Sequence, residues 1–370
     1  MSKIYLVTLR PLEPYFFGDG KNLNFPNQSE KLKTEYYVES LKIPSQSTLL
    51  GALRYMVLKK CGQLNSDGSL SLNKEQKELV GERGFSIHNN ATKYGVIEKI
   101  GSVFLLDKEN HCYIPCPLNS KKEDAYKPFR LTNVKTGNFC KTVPLDYDAK
   151  GGLNYDGWIG LKDQELVVRD NMFLSREQVG ILKEKKLTEK AFFKRKYYML
   201  NNCFKFAFFI QLNETFLQKD GTGIWEDILM MGQKQSTFSF KCQEVACSQG
   251  VVKEYKSLLT ELGKIQKEGT DLTVYYAASP VIFKEQPECE FYISENKTFQ
   301  YTNPKIRKSS DDNKLKTDVT YISKAGSVFY LAGDEQEQKF KNSYDLNSCI
   351  TAGFNKIYKL EDNENEFKIL

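Results

Sequence analysis

Three features predict the fold class. The chain opens on a strand that is apolar on both faces, residues 3–10. A helix signature follows at residues 44–61, and later apolar runs such as 206–210 are strand-sized. Strand, helix, strands, short helix and strand is the order of a ferredoxin-like (RRM-like) unit, here with long insertions. The predicted protein is therefore α+β, with two ferredoxin-like domains with long insertions. Its 370 residues suit two domains at ~100–200 residues each. Residues 1–248 are expected to form the N-terminal domain with insertions, and residues 249–370 a smaller C-terminal repeat.

Each element has a local reason. Ile4, Leu6 and Thr8 share one face of the first strand, and Tyr5, Val7 and Leu9 the other, so a central strand is expected. Pro11-Leu12-Glu13-Pro14 ends it. Tyr15-Phe16-Phe17 then runs into a Gly18-Asp19-Gly20 turn beside Lys21, and residues 33–40 form a short strand. Pro44-Ser45-Gln46-Ser47-Thr48 starts a helix, because a Ser side chain accepts from the orphan N–H groups of the first turn. Leu49, Leu50, Leu53, Val57 and Cys61 make its apolar stripe. Gly51-Ala52 allows close approach to a neighbour, Arg54 lies off the stripe and free for a ligand, and Cys61-Gly62 stops the helix.

Residues 63–92 read as a polar insertion, 100–106 and 112–117 as a hairpin, and 119–163 as loop-rich. A helix capped by Ser175 is expected over 175–186, and a strand over 203–212. A short helix over 225–231 leads through Met231-Gly232-Gln233-Lys234 into a strand at 237–245. An amphipathic helix spans 251–265. Strands follow at 271–283, 290–293 and, interrupted at Ala325-Gly326, 319–331. Residues 346–360 carry a turn centred on Gly353, and the acidic tail 361–366 frays.

Composition narrows the function. The net charge of 53 − 47 = +6 permits a polyanionic partner without requiring one. No run approaches the roughly 18 apolar residues of a membrane span, and no signal peptide opens the chain, so a cytoplasmic protein is expected. Two histidines exclude a His-rich metal site. The nine cysteines lack Cys-x-x-Cys pairs, which favours free buried thiols, with neither metal nor cofactor. His111-Cys112 with Cys116, Cys242 and Cys247 is the weaker zinc alternative. Walker, nucleophile-elbow and dinucleotide fingerprints are missing, which speaks against a small-molecule enzyme. Residues 182–198 hold seven Lys/Arg against two Glu, interleaved with Phe192, Phe193, Tyr197 and Tyr198. Cations and π-faces together suit single-stranded nucleic acid; a solvated helix end is the plainer reading.

Several motifs carry a resemblance. Leu12-Glu13-Pro14-Tyr15-Phe16-Phe17-Gly18-Asp19-Gly20-Lys21 is similar to the N-terminal signature of one CRISPR family. Residues 43–54, from Ile43-Pro44-Ser45 to Gly51-Ala52-Leu53-Arg54, resemble that family's helix start. Met231-Gly232-Gln233, Ala325-Gly326-Ser327-Val328-Phe329-Tyr330 and Gly353 stand where the family has a Gly-rich turn, a late strand and a C-terminal loop. Together they resemble the third subunit of the type III-B (Cmr) CRISPR effector complex, a RAMP protein of the Cas-five-like group. Two departures stand out: both turns carry one glycine where the family's are richer.

The resemblance implies a non-catalytic crRNA-binding subunit that holds the 5′ tag of the crRNA. Its implied partners are the large polymerase-like subunit and a backbone RAMP subunit, with no membrane. A helix N-terminus favours phosphate, so Ser45, Gln46, Ser47 and Thr48 are candidates, with Arg54 for bidentate contact. Gly18, Lys21, Lys234, Gly353 and Lys356 lie at turns where a ribose-phosphate chain could approach. Phe16, Tyr55 and Phe354 are candidate stacking platforms. The competing function is a metal-independent crRNA-processing endoribonuclease, which would need His88 or His111.

Overall fold

The computed structural model describes residues 3–18, 36–65, 72–82, 84–88, 92–121, 123–136, 139–145, 147, 157–181, 192–213, 223–232, 235–246, 249–267, 270–299, 320–360 and 369–370. β1 (Lys3–Pro11) is the central strand that its two apolar faces predict. β2 (Phe17–Gly18) pairs with β3 (Tyr36–Leu41), and α1 (Gln46–Lys60) follows with Ser45 as its cap. α2 (Lys74–Val80) lies inside the polar insertion, started by a reciprocal Asn73–Gln76 capping box. Seven strands follow: β4 (Ile97–Ile100), β5 (Phe104–Leu106), β6 (Cys112–Pro115), β7 (Leu131–Thr136), β8 (Phe139–Pro144), β9 (Trp158–Lys162) and β10 (Glu165–Arg169). Longer strands come next: β11 (Phe173–Ile181), β12 (Phe192–Leu200), β13 (Lys205–Leu212), β14 (Ile224–Met231) and β15 (Ser236–Glu244). α3 (Gly250–Lys267) leads to β16 (Thr273–Ala277), β17 (Phe291–Ile293), β18 (Asn296–Phe299), β19 (Thr320–Ser323) and β20 (Val328–Leu331). α4 (Gly333–Tyr344), α5 (Asn347–Thr351) and β21 (Ile357–Lys359) close the described chain. No helix among the described residues is long and apolar enough to cross a membrane.

The large sheet runs β10-β9-β6-β5-β13-β1-β15-β14, with β4 also on β13. β1 pairs antiparallel with β13, Leu6 opposite Phe209, and with β15, Leu6 opposite Gln243. β14 and β15 form a hairpin beside β1, yet β13, on β1's other side, precedes that hairpin in the chain. A second sheet runs β11-β12-β3-β2, its β12–β3 pair parallel. A third, after α3, runs β17-β20-β16-β21 and is antiparallel throughout.

Several expectations need correction. Residues 175–181 are strand, not helix: Ser175 caps nothing and lies opposite Tyr198 in the β11–β12 ladder. Residues 225–231 are also strand. Trp225, Leu229 and Met231 are buried while Glu226, Ile228 and Met230 are exposed, a period of two. Trp225, Ile228 and Leu229 also fit helical spacing, so periodicity alone was ambiguous. Gly51 is exposed with nothing within 4 Å of a Cβ built on it, and Cys61 is exposed, so neither serves the packing of α1. α4 was not anticipated, because it buries only Phe340 and Ser343. Residues 303–317, whose composition reads as a polar, basic loop, and the acidic tail 361–366 lie outside the described residues.

Two cores flank β1. On one face, Tyr5, Val7 and Leu9 meet Leu49, Leu53, Met56 and Val57 of α1 and Phe206 and Phe208 of β13. Lys59 bonds Asp227 at 2.7 Å and Lys60 lies 5.3 Å from the Trp225 ring centre, fixing the end of α1 to β14. On the other face, Leu6, Phe104 and Phe209 meet Tyr255, Leu258 and Leu262 of α3, together with Val274, Tyr276 and Tyr330 from the third sheet. This second core therefore takes side chains from both sides of residue 248. A buried polar network sits beside it. Asn119 donates to Gln266 at 3.0 Å and to the Tyr330 hydroxyl at 2.6 Å, and accepts from Tyr126 at 2.7 Å. Gln266 in turn donates to Tyr126.

Asn119→Ala would strand several buried polar groups at once. A loss of about 2–4 kcal/mol is expected, measured by urea unfolding. An unchanged midpoint would show that the network contributes nothing.

Candidate functional site

The Ser45 hydroxyl accepts from the Thr48 N–H at 3.2 Å and lies 2.8 Å from the Thr48 hydroxyl and 3.0 Å from that of Ser47. The first turn of α1 holds no acidic residue, so its partial positive charge is not offset there. Gln46 is buried, and its side-chain oxygen has no hydrogen-bond partner. Against that turn sits the turn after α5. Gly353 has φ +93°, and a Cβ there would lie 2.6 Å from the Gln46 side-chain oxygen and 2.9 Å from the Gly101 carbonyl. Only glycine satisfies both the conformation and the space. Three far-apart segments of sequence thus meet at one place.

Asn355 holds this turn. It adopts φ +57°, accepts from the Ile282 N–H at 2.7 Å, and donates to the carbonyls of Ile282 and Tyr344 at 3.0 and 2.7 Å. Lys356 follows, its N–H donating to the Ser279 hydroxyl at 2.9 Å. Its side chain is buried to 6% exposure. Burial, reinforced by repulsion from Lys99, pushes its pKa down to about 7. A buried ammonium without a carboxylate is costly, and an anion would relieve that cost.

The remaining candidates divide. Gly18 is exposed on β2, opposite Ser40 of β3. Gly232 has φ +86°, and a Cβ there would lie 2.6 Å from the Phe16 carbonyl, so this turn packs on the Phe16–Phe17 segment. Lys21 and Lys234 lie outside the described residues. Arg54 is not free: its Nε and one Nη donate to the Val80 and Gly81 carbonyls at 2.8 and 3.0 Å, locking the end of α2. Phe354 is no platform. It is buried, stacked on Phe85 at 4.9 Å and against Phe299 at 5.4 Å. Phe16 is likewise buried against Tyr197 at 5.5 Å. Tyr55 is exposed on α1 and makes no ring contact among the described residues.

Lys99, Gly101, Ser279 and Asn355 were missed. Nothing local marks them; their roles come from where β4 and the 279–282 segment run. His88 lies on the loop whose Phe85 stacks on Phe354 and whose Ile87 carbonyl accepts from Ser348 at 3.5 Å. This loop borders the site through Phe354. His111 is held at the β5–β6 turn by Asp107 at 3.0 Å, a hydrogen bond that raises its pKa. Among the described residues the candidate zinc cysteines do not gather with His111, whose neighbouring ligand atoms are those of Asp107 and Glu109; Cys116 and Cys242 are buried thiols that burial pushes up to about 12. Cys112 is also buried and raised, and Cys247 lies outside the described residues.

Over residues 7–151 the chain matches the model of a family described as CRISPR-associated protein (Cas_Cmr3). No curated protein matches it. One similar solved chain comes from the type III-B Cmr-beta complex bound to cognate target RNA and AMPPnP. Its identity is 12%, coverage 96% of each chain and TM-score 0.45. Another comes from the Csm3–Csm4 subcomplex of the type III-A interference complex, with 10% identity, 90% of this chain and 93% of that one covered, and a TM-score of 0.37.

Two substitutions separate the site's supports. Gly353→Ala is expected to cost about 1–3 kcal/mol, through both φ and the clash with Gln46. Arg54→Met is expected to cost about 2–3 kcal/mol through its two lost charged hydrogen bonds, with faster hydrogen exchange over residues 76–82. Wild-type melting temperatures for both would contradict this assembly.

Proposed function

We propose that the chain, which matches the Cas_Cmr3 family model over residues 7–151, is a member of that family and acts as the subunit of a type III-B effector complex that holds the 5′ tag of the crRNA without cleaving it. In this reading it bridges the large polymerase-like subunit to a backbone RAMP subunit. Its two halves descend from ferredoxin-like units. The order β17-β20-β16-β21 supports this for the second half, being second, third, first and fourth in the chain once the β18–β19 hairpin is set aside. In the first half, β13 takes the place that a fourth strand would fill.

The observation that carries the proposal is the seating of the Gly353 turn on the first turn of α1. It brings together a helix N-terminus with no acid in its first turn and the segment bearing Lys356. Half-buried hydroxyls at a helix N-terminus, with a buried amine on the adjoining segment, suit a ribose-phosphate chain. Arg54 plays no part in this contact; it holds α2 in place.

The test is binding of labelled crRNA with its 5′ tag, against a scrambled tag, over a salt series, with partner subunits present and absent. Tag-dependent binding without cleavage is expected. Equal weak binding of both RNAs, even with partners, would refute the proposal. Cleavage abolished by His88→Ala would favour the endoribonuclease.

Lys356 gives a pH signature. Below pH 7 it is charged in both folded and unfolded chains. Between about 7 and 10.5 the unfolded chain binds the extra proton, so its contribution to stability rises with pH across that window. The whole span is worth on the order of 5 kcal/mol at 1.36 kcal/mol per pH unit. Lys356→Met should therefore melt above wild type at pH 6.5, with the gain shrinking towards pH 10. In wild type, tag RNA should take up a proton on binding at pH 8. A gain independent of pH would contradict the assignment.

A further inference from the structure

We infer that the open face of the large sheet at its β14 edge docks a second protein subunit, one that presents apolar side chains around a carboxylate. The inference rests on the reading of this chain as a subunit of an assembly. The cross-strand register lays the face out in rows. Met230 lies opposite Thr237, beside Leu12, whose N–H bonds the Thr237 carbonyl at 2.9 Å. In the next row Ile228 faces Ser239, and Ser239 faces Arg10. Ile224 faces Gln243 two rows on. All point away from the core that α1 covers. Met230, Leu12, Ile228 and Ile224 are 53%, 51%, 47% and 47% exposed, a concentration of large apolar side chains on one edge.

The charges on this face choose the occupant. Glu226 and Lys241 pair with each other at 2.8 Å. Arg10 is exposed and has no ion pair or side-chain hydrogen bond among the described residues. A lone guanidinium beside apolar side chains fits a partner carboxylate desolvated by its surroundings, the usual setting of an arginine hot spot. Nucleic acid fits poorly. The exposed side chains are aliphatic or thioether, with no ring for a base, and one unpaired cation is a thin match for a phosphate chain.

The edge itself also restricts the mode of docking. β14 is the last strand of its sheet, and such edges invite another strand. Here the outward backbone groups of Ile228 are occupied: its N–H donates to the Asp227 carboxylate at 2.7 Å and its carbonyl accepts from Lys59 at 3.2 Å. The partner therefore packs on the face and does not extend the sheet. The same plug argues against edge-to-edge pairing of two copies.

The test uses the full chain, free and in the complex reconstituted with its co-encoded subunits. Hydrogen exchange over residues 224–231 and 8–12 should slow at least tenfold on assembly. Arg10→Glu and the double variant Ile228→Asp/Met230→Asp should keep the wild-type melting temperature and tag-RNA affinity while one protein subunit is lost from the complex. A Glu/Asp→Lys change in that subunit should restore binding to Arg10→Glu. Unchanged exchange with all subunits retained would overturn the inference. So would protection by crRNA alone, or self-association in sedimentation that Arg10→Glu abolishes. Tag-RNA affinity is read separately, so failure of the RNA-binding proposal and failure of this one are distinguishable.

Discussion

Gly353 approaches Gln46 and Gly101 more closely than any side chain would allow. That contact joins the first helix of the chain to its last strand and to the end of β4. Asn355 makes it rigid, spending both faces of its amide on the backbone of Ile282 and Tyr344. Lys356 is then carried inward by the same backbone, whose N–H and carbonyl bond Ser279 and Ala278. A buried amine at this position is a consequence of the turn, not of an ion pair. Its low pKa means that the free protein can leave it neutral and that a nearby phosphate can recharge it.

The seat exists because β1 is buried on both faces. Antiparallel neighbours on either side leave it no edge, and α1 and α3 cover its two surfaces over most of its length. α1 cannot shift without unpacking the first core. The third sheet cannot shift without unpacking the second and breaking the Asn119 network. Toward β14 the cover on the second face runs out, and the sheet presents Ile228, Met230 and Leu12 to solvent. The α1 start thus brings backbone N–H groups and the segment of the buried Lys356 together, and one sheet edge offers apolar surface.

Much of this was legible where local chemistry decides structure. Two apolar faces mark β1, and Pro44-Ser45-Gln46-Ser47-Thr48 marks the start of α1, with Ser45 the serine that caps it. Gly353 was legible as a turn glycine, but its contact with Gln46 was not, since the two are far apart in sequence and no pattern links them. β14 was misread because a short amphipathic run satisfies periods of both 2 and 3.6, and β11 because Ser175 resembles a cap; strand pairing settled both. Arg54 looked free only because the return of Val80 and Gly81 against it leaves no mark in the sequence. Phe354 looked like a platform because Phe85 and Phe299, which enclose it, are also remote.

The most direct test of the central claim is ultraviolet cross-linking of 5′-tagged crRNA to the full chain within its complex, with adducts mapped by mass spectrometry. The account predicts tag nucleotides attached to peptides covering residues 42–48 and 353–356. Adducts confined to other segments, with those two peptides unmodified, would contradict it.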